Sequence, residues 1–256
     1  MLLAIDIGNS NISVGLFDRE KTLKFLASID TDSRKTADQI SIDLMNLFTL
    51  YGCDIHDVSG AILSSVVPPM NFMMEKALTR LLGKPPMVVG AGIKTGLNIR
   101  MEFNSQQLGA DIVANAVSAL EKYPVPIIMI DMGTATTVTV VDENGAFRGG
   151  AILPGANLSL AALYGNTALL PDIPLSVPDK AIGTNTVSCM QSGCILGAAL
   201  LLDGMIDRME AELGQKTTVV ATGGIAPFIT PACKHPMTPA GDLILRGLAV
   251  LYEQNK

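Results

Sequence analysis

The feature that most limits the fold is a device used twice: an apolar strand that ends on Asp-x-Gly and turns into a second β-rich run. Ile5-Asp6-Ile7-Gly8 closes one such strand and Ile130-Asp131-Met132-Gly133 the other, at a spacing close to half of the 256 residues. Asn9, Ser10 and Asn11 follow the first glycine, and Thr134 and Ala135 the second. Glycine and asparagine tolerate the positive φ of hairpin tips. The run 13–17 and the β-branched run 136–141 supply the return strands. A repeat of this kind points to a duplicated domain, so two lobes are expected, 1–123 and 124–256, divided at Tyr123-Pro124. Lobes of about 120 residues also suit this length better than one core.

Between and after the two copies the pattern alternates. Ile40, Leu44, Leu47 and Phe48 fall at helical spacing within 37–51, and 58–66 reads as a buried strand stopped by Pro68-Pro69. Helices are expected over 70–82 and 109–122, with a short strand at 85–90. The second half adds a strand at 147–153, helices at 157–163, 187–213 and 243–254, and a strand at 217–222. Strands and helices in this order make α/β lobes. With 48% hydrophobic and 16% charged residues, the chain can bury a sizeable core.

The two tips suit an anion. Asp-x-Gly leaves backbone amides at the turn, and glycine removes the Cβ that would hold a phosphate away. Asn9, Ser10, Asn11 and Ser13 add donors to the first loop, and Thr134, Thr136 and Thr137 to the second. The pair therefore reads as clamps on ATP phosphates, with Asp6 holding Mg²⁺ through water. One Asp-x-Gly would be no more than a hairpin turn; two at matched places, each followed by donors, carry the reading. Gly223-Gly224, directly after 217–222, would let an adenosine approach closely. The chain contains neither Gly-x-x-x-x-Gly-Lys-Ser/Thr nor Gly-x-Gly-x-x-Gly, which removes the P-loop and dinucleotide-fold readings.

Other features limit the partners. A net charge of −6 argues against nucleic acid and anionic membranes. The opening apolar run is stopped at Asp6, and no stretch of about 18 apolar residues is found, so no membrane span and a cytoplasmic location are expected. Cys53, Cys189, Cys194 and Cys233 lack CxxC spacing and read as reduced thiols. His56 and His235 read as packing or surface residues without ligand partners, and the 13 methionines as an adaptable core or dimer face.

Segments along the whole chain resemble the type III pantothenate kinases. They are Asp6-Ile-Gly-Asn-Ser, Ser64-Ser-Val-Val-Pro-Pro, Gly92-Ile-Lys-Thr-Gly-Leu-Asn-Ile, Gly109-Ala-Asp and Asp131-Met-Gly-Thr-Ala-Thr-Thr. Gly149-Gly-Ala-Ile-Leu-Pro-Gly, Asn185-Thr-Val-Ser-Cys-Met-Gln-Ser-Gly, Ala221-Thr-Gly-Gly and Gly247-Leu-Ala-Val-Leu-Tyr-Glu continue the match. The resemblance implies two duplicated ribonuclease H-like (actin-like ATPase) domains with the nucleotide site in the cleft between them, and a homodimer. It implies ATP, Mg²⁺ and a monovalent cation, K⁺ or NH₄⁺. The reaction implied is transfer of the γ-phosphoryl group to the primary hydroxyl of pantothenate, giving 4′-phosphopantothenate in the first step of coenzyme A biosynthesis. By position, Asp6, Ile7, Gly8, Asn9, Ser10, Asn11, Ile12, Ser13 and Thr134 would bind ATP, and Asp131 the monovalent cation. Gly109, Ala110, Asp111, Ile112 and Thr186 would contact pantothenate, with Asp111 as proton acceptor. Outside the family, Asp111 would read as a helix cap.

The chain also departs from the family pattern. Gly-Ala-Asp is commonly followed by arginine, but here by Ile112, and an aliphatic chain cannot grip a carboxylate or phosphate in two bonds. The stretch 101–107 lacks the tyrosine, proline and arginine common there, leaving Phe103 as its ring, and Gln39 stands where an acidic residue is common. The departures gather on the acceptor side, while the ATP loops are intact. Three readings stay open: a pantothenate kinase with a remodelled pocket, a paralogue serving as a regulatory ATP-binding protein, and a kinase for another small hydroxyl compound.

Overall fold

The computed structural model describes residues 1–101 and 108–256. The chain opens with strands β1 (Leu2–Ile7), β2 (Asn11–Phe17) and β3 (Leu23–Asp30), then helix α1 (Ala37–Leu50). Strand β4 (Gly60–Ser65), helix α2 (Pro68–Leu82), and the short strands β5 (Met87–Val88) and β6 (Asn98–Ile99) follow. Helix α3 (Ala110–Lys122) precedes a second run of strands, β7 (Ile127–Met132), β8 (Ala135–Val141) and β9 (Ala146–Pro154). Helices α4 (Ala156–Gly165) and α5 (Thr186–Leu213), strand β10 (Thr218–Thr222), the short helix α6 (Ala226–Ile229), strand β11 (Thr238–Pro239) and helix α7 (Leu243–Asn255) complete it.

The sheets carry the duplication. The first has the order β3-β2-β1-β4-β5, and the second β11-β10-β7-β8-β9-β6. Read from the other edge, the second repeats the first, with β6 added beside β9. The pairings agree in sense: β1 and β7 run antiparallel to the strand that follows them, and parallel to β4 and β10. Even the irregularity recurs, since register shifts fall between Leu16 and Phe17 in β2 and between Val140 and Val141 in β8. The expected duplicated α/β fold is thus present in the strand order.

Alternation along β1 sorts its side chains between two layers. Leu3, Ile5 and Ile7 join Ile40, Leu44 and Phe48 of α1 and Met70, Met74 and Leu78 of α2 in one buried cluster. Ala4 joins Ile62 of β4, Val113, Ala114 and Val117 of α3, and Leu245, Leu248 and Leu251 of α7 in another. Gly247 lets α7 approach α3 so closely that any Cβ there would run into the Ala114 carbonyl. In the second sheet Ile128, Ile130 and Met132 pack with Ile195, Ala199, Leu202 and Ile206 of α5.

One helix start differs from expectation, and another shows its cap. Helix α2 begins at Pro68 rather than after it, because a first-turn residue has no intrahelical use for an amide hydrogen. Gln39, noted above as a departure, closes a capping box on α1: its amide donates to the Thr36 hydroxyl at 3.3 Å, and its side-chain oxygen accepts the Thr36 amide at 2.9 Å.

Contacts divide the chain into two compact units that do not follow 1–123 and 124–256. Asp242–Lys256 belongs with Met1–Leu97 in the first unit, and Lys122–Gly241 forms most of the second. The reason is α7, whose Leu245, Leu248 and Leu251 lie in the core of the first sheet. A second difference concerns α5. Among the described residues it is one helix long and apolar enough to cross a bilayer by length and composition, where none was expected. Its apolar residues serve more than one side: Ile195 and Leu202 face the sheet, while Leu200 and Leu201 are exposed.

Candidate active site

The first Asp-x-Gly loop is held from several directions. The Gly8 amide donates to the Asn11 carbonyl at 2.9 Å and closes the tip. A Cβ on Gly8 would lie 3.1 Å from that carbonyl, so the turn has little room for a side chain. Thr31, just past β3, donates its hydroxyl to the Gly8 carbonyl at 2.7 Å and its amide to the Ser10 carbonyl at 3.0 Å. The Val66 amide donates to the Ile7 carbonyl at 3.0 Å. With carbonyls of residues 7, 8 and 10 engaged from behind, the loop is fixed for its amides to meet an anion. Sequence reasoning missed Thr31; its role becomes visible only once β3 is known to pair with β2.

Asp6 lies on the face of β1 shared with Ala4, towards α3 and α7. Its neighbours in register are Ser13 on β2 and Ser64 on β4. A carboxylate is thus flanked by a hydroxyl residue on each side, an all-oxygen set of the kind that suits a hard divalent cation.

Asp111 stands in the first turn of α3. Its Oδ1 accepts the Ile112 amide at 2.8 Å, and a Cβ on Gly109 would collide with that same oxygen. The Gly109 carbonyl accepts the Val113 amide at 3.1 Å and opens the helix. The other end of α3 is located by an ion pair, 3.7 Å, between Glu121 and Lys21 in the turn after β2. That turn adjoins the Leu2 end of β1, because Leu2 pairs with Phe17. Helix α3 therefore runs back along the sheet, and Asp111, about 15 Å from Glu121 at 1.5 Å per residue, lies towards the end that carries Asp6 and its loop. Asp6 and Asp111 are brought to one end of the first unit. Residues 102–107, which include Phe103 and most of the altered 101–107 stretch, lie outside the described residues.

The second loop repeats the construction with different fasteners. The Gly133 amide donates to the Ala135 carbonyl at 3.0 Å, and the Gly155 amide to the Thr134 carbonyl at 3.1 Å. Any side chain on Gly155 would strike the Gly133 and Thr134 carbonyls, so that glycine allows α4 to start against the tip. Gly223 has φ +93, and a Cβ there would meet the Met132 backbone at 2.5–2.6 Å. The close approach expected of Gly223 is thus taken up by β7, whereas Gly224 faces open space. Asp131 is again the middle of a row, with Thr137 on β8 and Thr222 on β10 as its partners in register.

Thr186 is the first residue of α5, after a capping box in which Asn185 accepts the Ser188 amide at 2.9 Å. It stands nine residues before Ile195, about 13 Å further along the helix than that core residue, and exposed.

At the far end of α5 a cluster went unseen in the sequence. His235, read as lacking partners, has Nε2 2.9 Å from Asp207 Oδ1, and ligand atoms of Asp207, Glu210 and His235 lie within 4.8 Å of one another. Burial pushes the Glu210 carboxyl up, but Lys216 and the amide and hydroxyl of Thr217 outweigh it and hold the group below its ordinary value. Glu210 is therefore occupied in closing the α5–β10 connection.

Comparison with known proteins identifies the family. The sequence model described as type III pantothenate kinase matches residues 2–208. A type III pantothenate kinase of Moorella thermoacetica is 42% identical over 257 residues, with all of both chains covered. One from Listeria welshimeri is 41% identical, covering all of this chain and 98% of its own. Among solved structures, component A of the (R)-2-hydroxyglutaryl-CoA dehydratase of Acidaminococcus fermentans superposes with a TM-score of 0.60 at 13% identity, over 100% of this chain and 99% of that one. The activator of the 2-hydroxyisocaproyl-CoA dehydratase of Clostridium difficile, with bound ADPNP, gives 0.56 at 13% identity, over 99% and 94%. These two share the fold alone; the sequence relatives share full length and about two residues in five. The chain belongs to the type III pantothenate kinase family.

Proposed function

We propose that Asp111 is the proton acceptor in transfer of the γ-phosphoryl group of ATP to pantothenate, the reaction of this kinase family. The terminal P–O bond of ATP breaks as a bond forms to the primary hydroxyl of pantothenate, and the hydroxyl proton passes to the Asp111 carboxylate. The products are ADP and 4′-phosphopantothenate, which enters coenzyme A biosynthesis. The observation that carries this reading is the course of α3, which sets Asp111 at the same end of the first unit as Asp6. Phosphoryl transfer depends chiefly on alignment and charge neutralisation, so a carboxylate fixed by Gly109 and Ile112 is suited to orient a hydroxyl and accept its proton late.

Asp6, Ile7, Gly8, Asn9, Ser10, Asn11, Ile12 and Ser13 are assigned to ATP, as is Thr134. Asp6, flanked in register by Ser13 and Ser64, fits Mg²⁺, which when bound neutralises phosphate charge. Asp131, between Thr137 and Thr222, fits a monovalent cation such as K⁺ or NH₄⁺. Gly109, Ala110, Asp111, Ile112 and Thr186 are assigned to pantothenate. A homodimer is supported by exposed apolar residues of the second unit: Leu200 and Leu201 on α5, Ile152 on β9 and Leu158 on α4. Sedimentation of the wild type and of Leu200→Glu tests it: a dimer is expected for the first and a monomer for the second. The family's place in coenzyme A synthesis supports a cytoplasmic setting.

ADP release measured with and without pantothenate and K⁺ tests the reaction. Release that depends on pantothenate supports it. ATP binding without pantothenate-dependent release would favour the second reading, a regulatory ATP-binding paralogue, for which Ile112 in the place of an arginine is the motivating residue.

A further inference from the structure

The end of β4 carries two serines with opposite fates. Ser65 Oγ accepts the Val67 amide at 3.0 Å and helps the chain turn into α2. Ser64 is fully buried, and its Oγ has no hydrogen-bond partner among the described residues. A buried hydroxyl without a partner is a cost to folding, and alanine would fill the same place without it. Such groups, when native proteins keep them, point to a demand outside the folded chain itself.

The register shows where that demand lies. Ser64 is the partner of Asp6 across the parallel β1–β4 pair, so both side chains stand on the same face. Strands at about 4.8 Å bring such neighbours within reach of one another. The second unit repeats the arrangement, with Thr222, also buried, beside Asp131 across β7 and β10.

We infer that Ser64 is a positioning residue for Asp6: its hydroxyl donates to the Asp6 carboxylate when that carboxylate serves the cation of Mg²⁺–ATP. The inference rests on the reading of Asp6 given above. A donor behind a carboxylate ligand restricts its orientation and commonly changes metal affinity about 10–100-fold when removed. Thr222 has the same place relative to Asp131.

The test uses the full chain and the variants Ser64→Ala and Asp6→Asn. Binding of a non-hydrolysable ATP analogue is measured by calorimetry with Mg²⁺ and with EDTA, alongside the melting temperature of each ligand-free protein. For Ser64→Ala we expect an unchanged or higher melting temperature, about tenfold weaker binding with Mg²⁺, and unchanged binding in EDTA. Wild-type binding with Mg²⁺ in Ser64→Ala, while Asp6→Asn is weakened, would overturn the role of Ser64 and leave that of Asp6. Weaker binding in both buffers together with a lower melting temperature would make Ser64 a packing residue only. If Asp6→Asn itself binds the Mg²⁺ complex normally, the reading of Asp6 fails, and the positioning role fails with it.

Discussion

Asp111 and Gly109 depend on each other: the carboxylate folds back to accept the Ile112 amide at 2.8 Å, and the space it occupies is where a side chain on residue 109 would begin. Gly109→Ala should therefore move the carboxylate without unfolding α3. The expected result is about a tenfold or greater loss of kcat/KM for pantothenate, with the melting temperature held within a few degrees. Steady-state kinetics beside a thermal melt would check it, and normal kinetics would show that the carboxylate position does not matter.

Asp111→Asn removes the proposed proton acceptor but keeps the shape. We expect kcat to fall about 10²–10⁴-fold, with KM for ATP little changed and the fold intact. Unchanged turnover would return Asp111 to the role of a helix-start residue.

Thr31 holds the first loop by its hydroxyl on the Gly8 carbonyl. Thr31→Val deletes one hydrogen bond worth about 1 kcal/mol, which predicts a severalfold rise in KM for ATP. Thr31→Ser should restore it. A rise in KM for pantothenate alone would place Thr31 outside the nucleotide loop.

Gly223→Ala meets two obstacles, a φ of +93 and the Met132 backbone within 2.6 Å. A loss of at least about 2 kcal/mol is expected in chemical denaturation, because the clash is with main chain that cannot step aside. A neutral result would mean that the β7 end yields readily.

Asp142 sets an acid limit. Burial raises its carboxyl, but amides of Ala146 and Asn144 and the Arg148 guanidinium outweigh that and hold it below the ordinary 3.8. A group depressed in the folded state stabilises fully above its unfolded value and loses that contribution as pH falls through the folded one. Stability should thus decline below about pH 4, and Asp142→Asn should flatten this acid limb of a melting-temperature profile. An unchanged profile would assign the decline to other carboxylates.

Much of this was readable in the residues. The two Asp-x-Gly hairpins announced the duplicated sheets, because strand period and turn chemistry are local properties. The helix at 109–122 and the strand at 217–222 were equally plain. What escaped were relations between distant parts. The two-residue strands β6 and β11 have no periodicity to detect, and they exist only because a neighbour offers an edge. Thr31 and Ser64 look ordinary until strand order places one behind the Gly8 loop and the other beside Asp6. The His235–Asp207 contact joins residues 28 apart across a helix and a loop, which no spacing rule foresees. The division into lobes missed α7 because a hydrophobic helical stripe does not name the sheet it will cover.

That last helix has a consequence for how the protein is made. Residues Leu245, Leu248 and Leu251 close the core around Ala4 and Ile62, yet the ribosome adds them after everything in the second unit. Domains usually mature in the order in which they emerge. Here the order is reversed: the first unit waits, one face of its sheet covered only by α3, until α7 has followed the second unit. During that interval the nascent chain exposes apolar surface to chaperones, and a stop codon near position 242 would leave Ala4 and Ile62 without the Leu245, Leu248 and Leu251 side chains that pack with them.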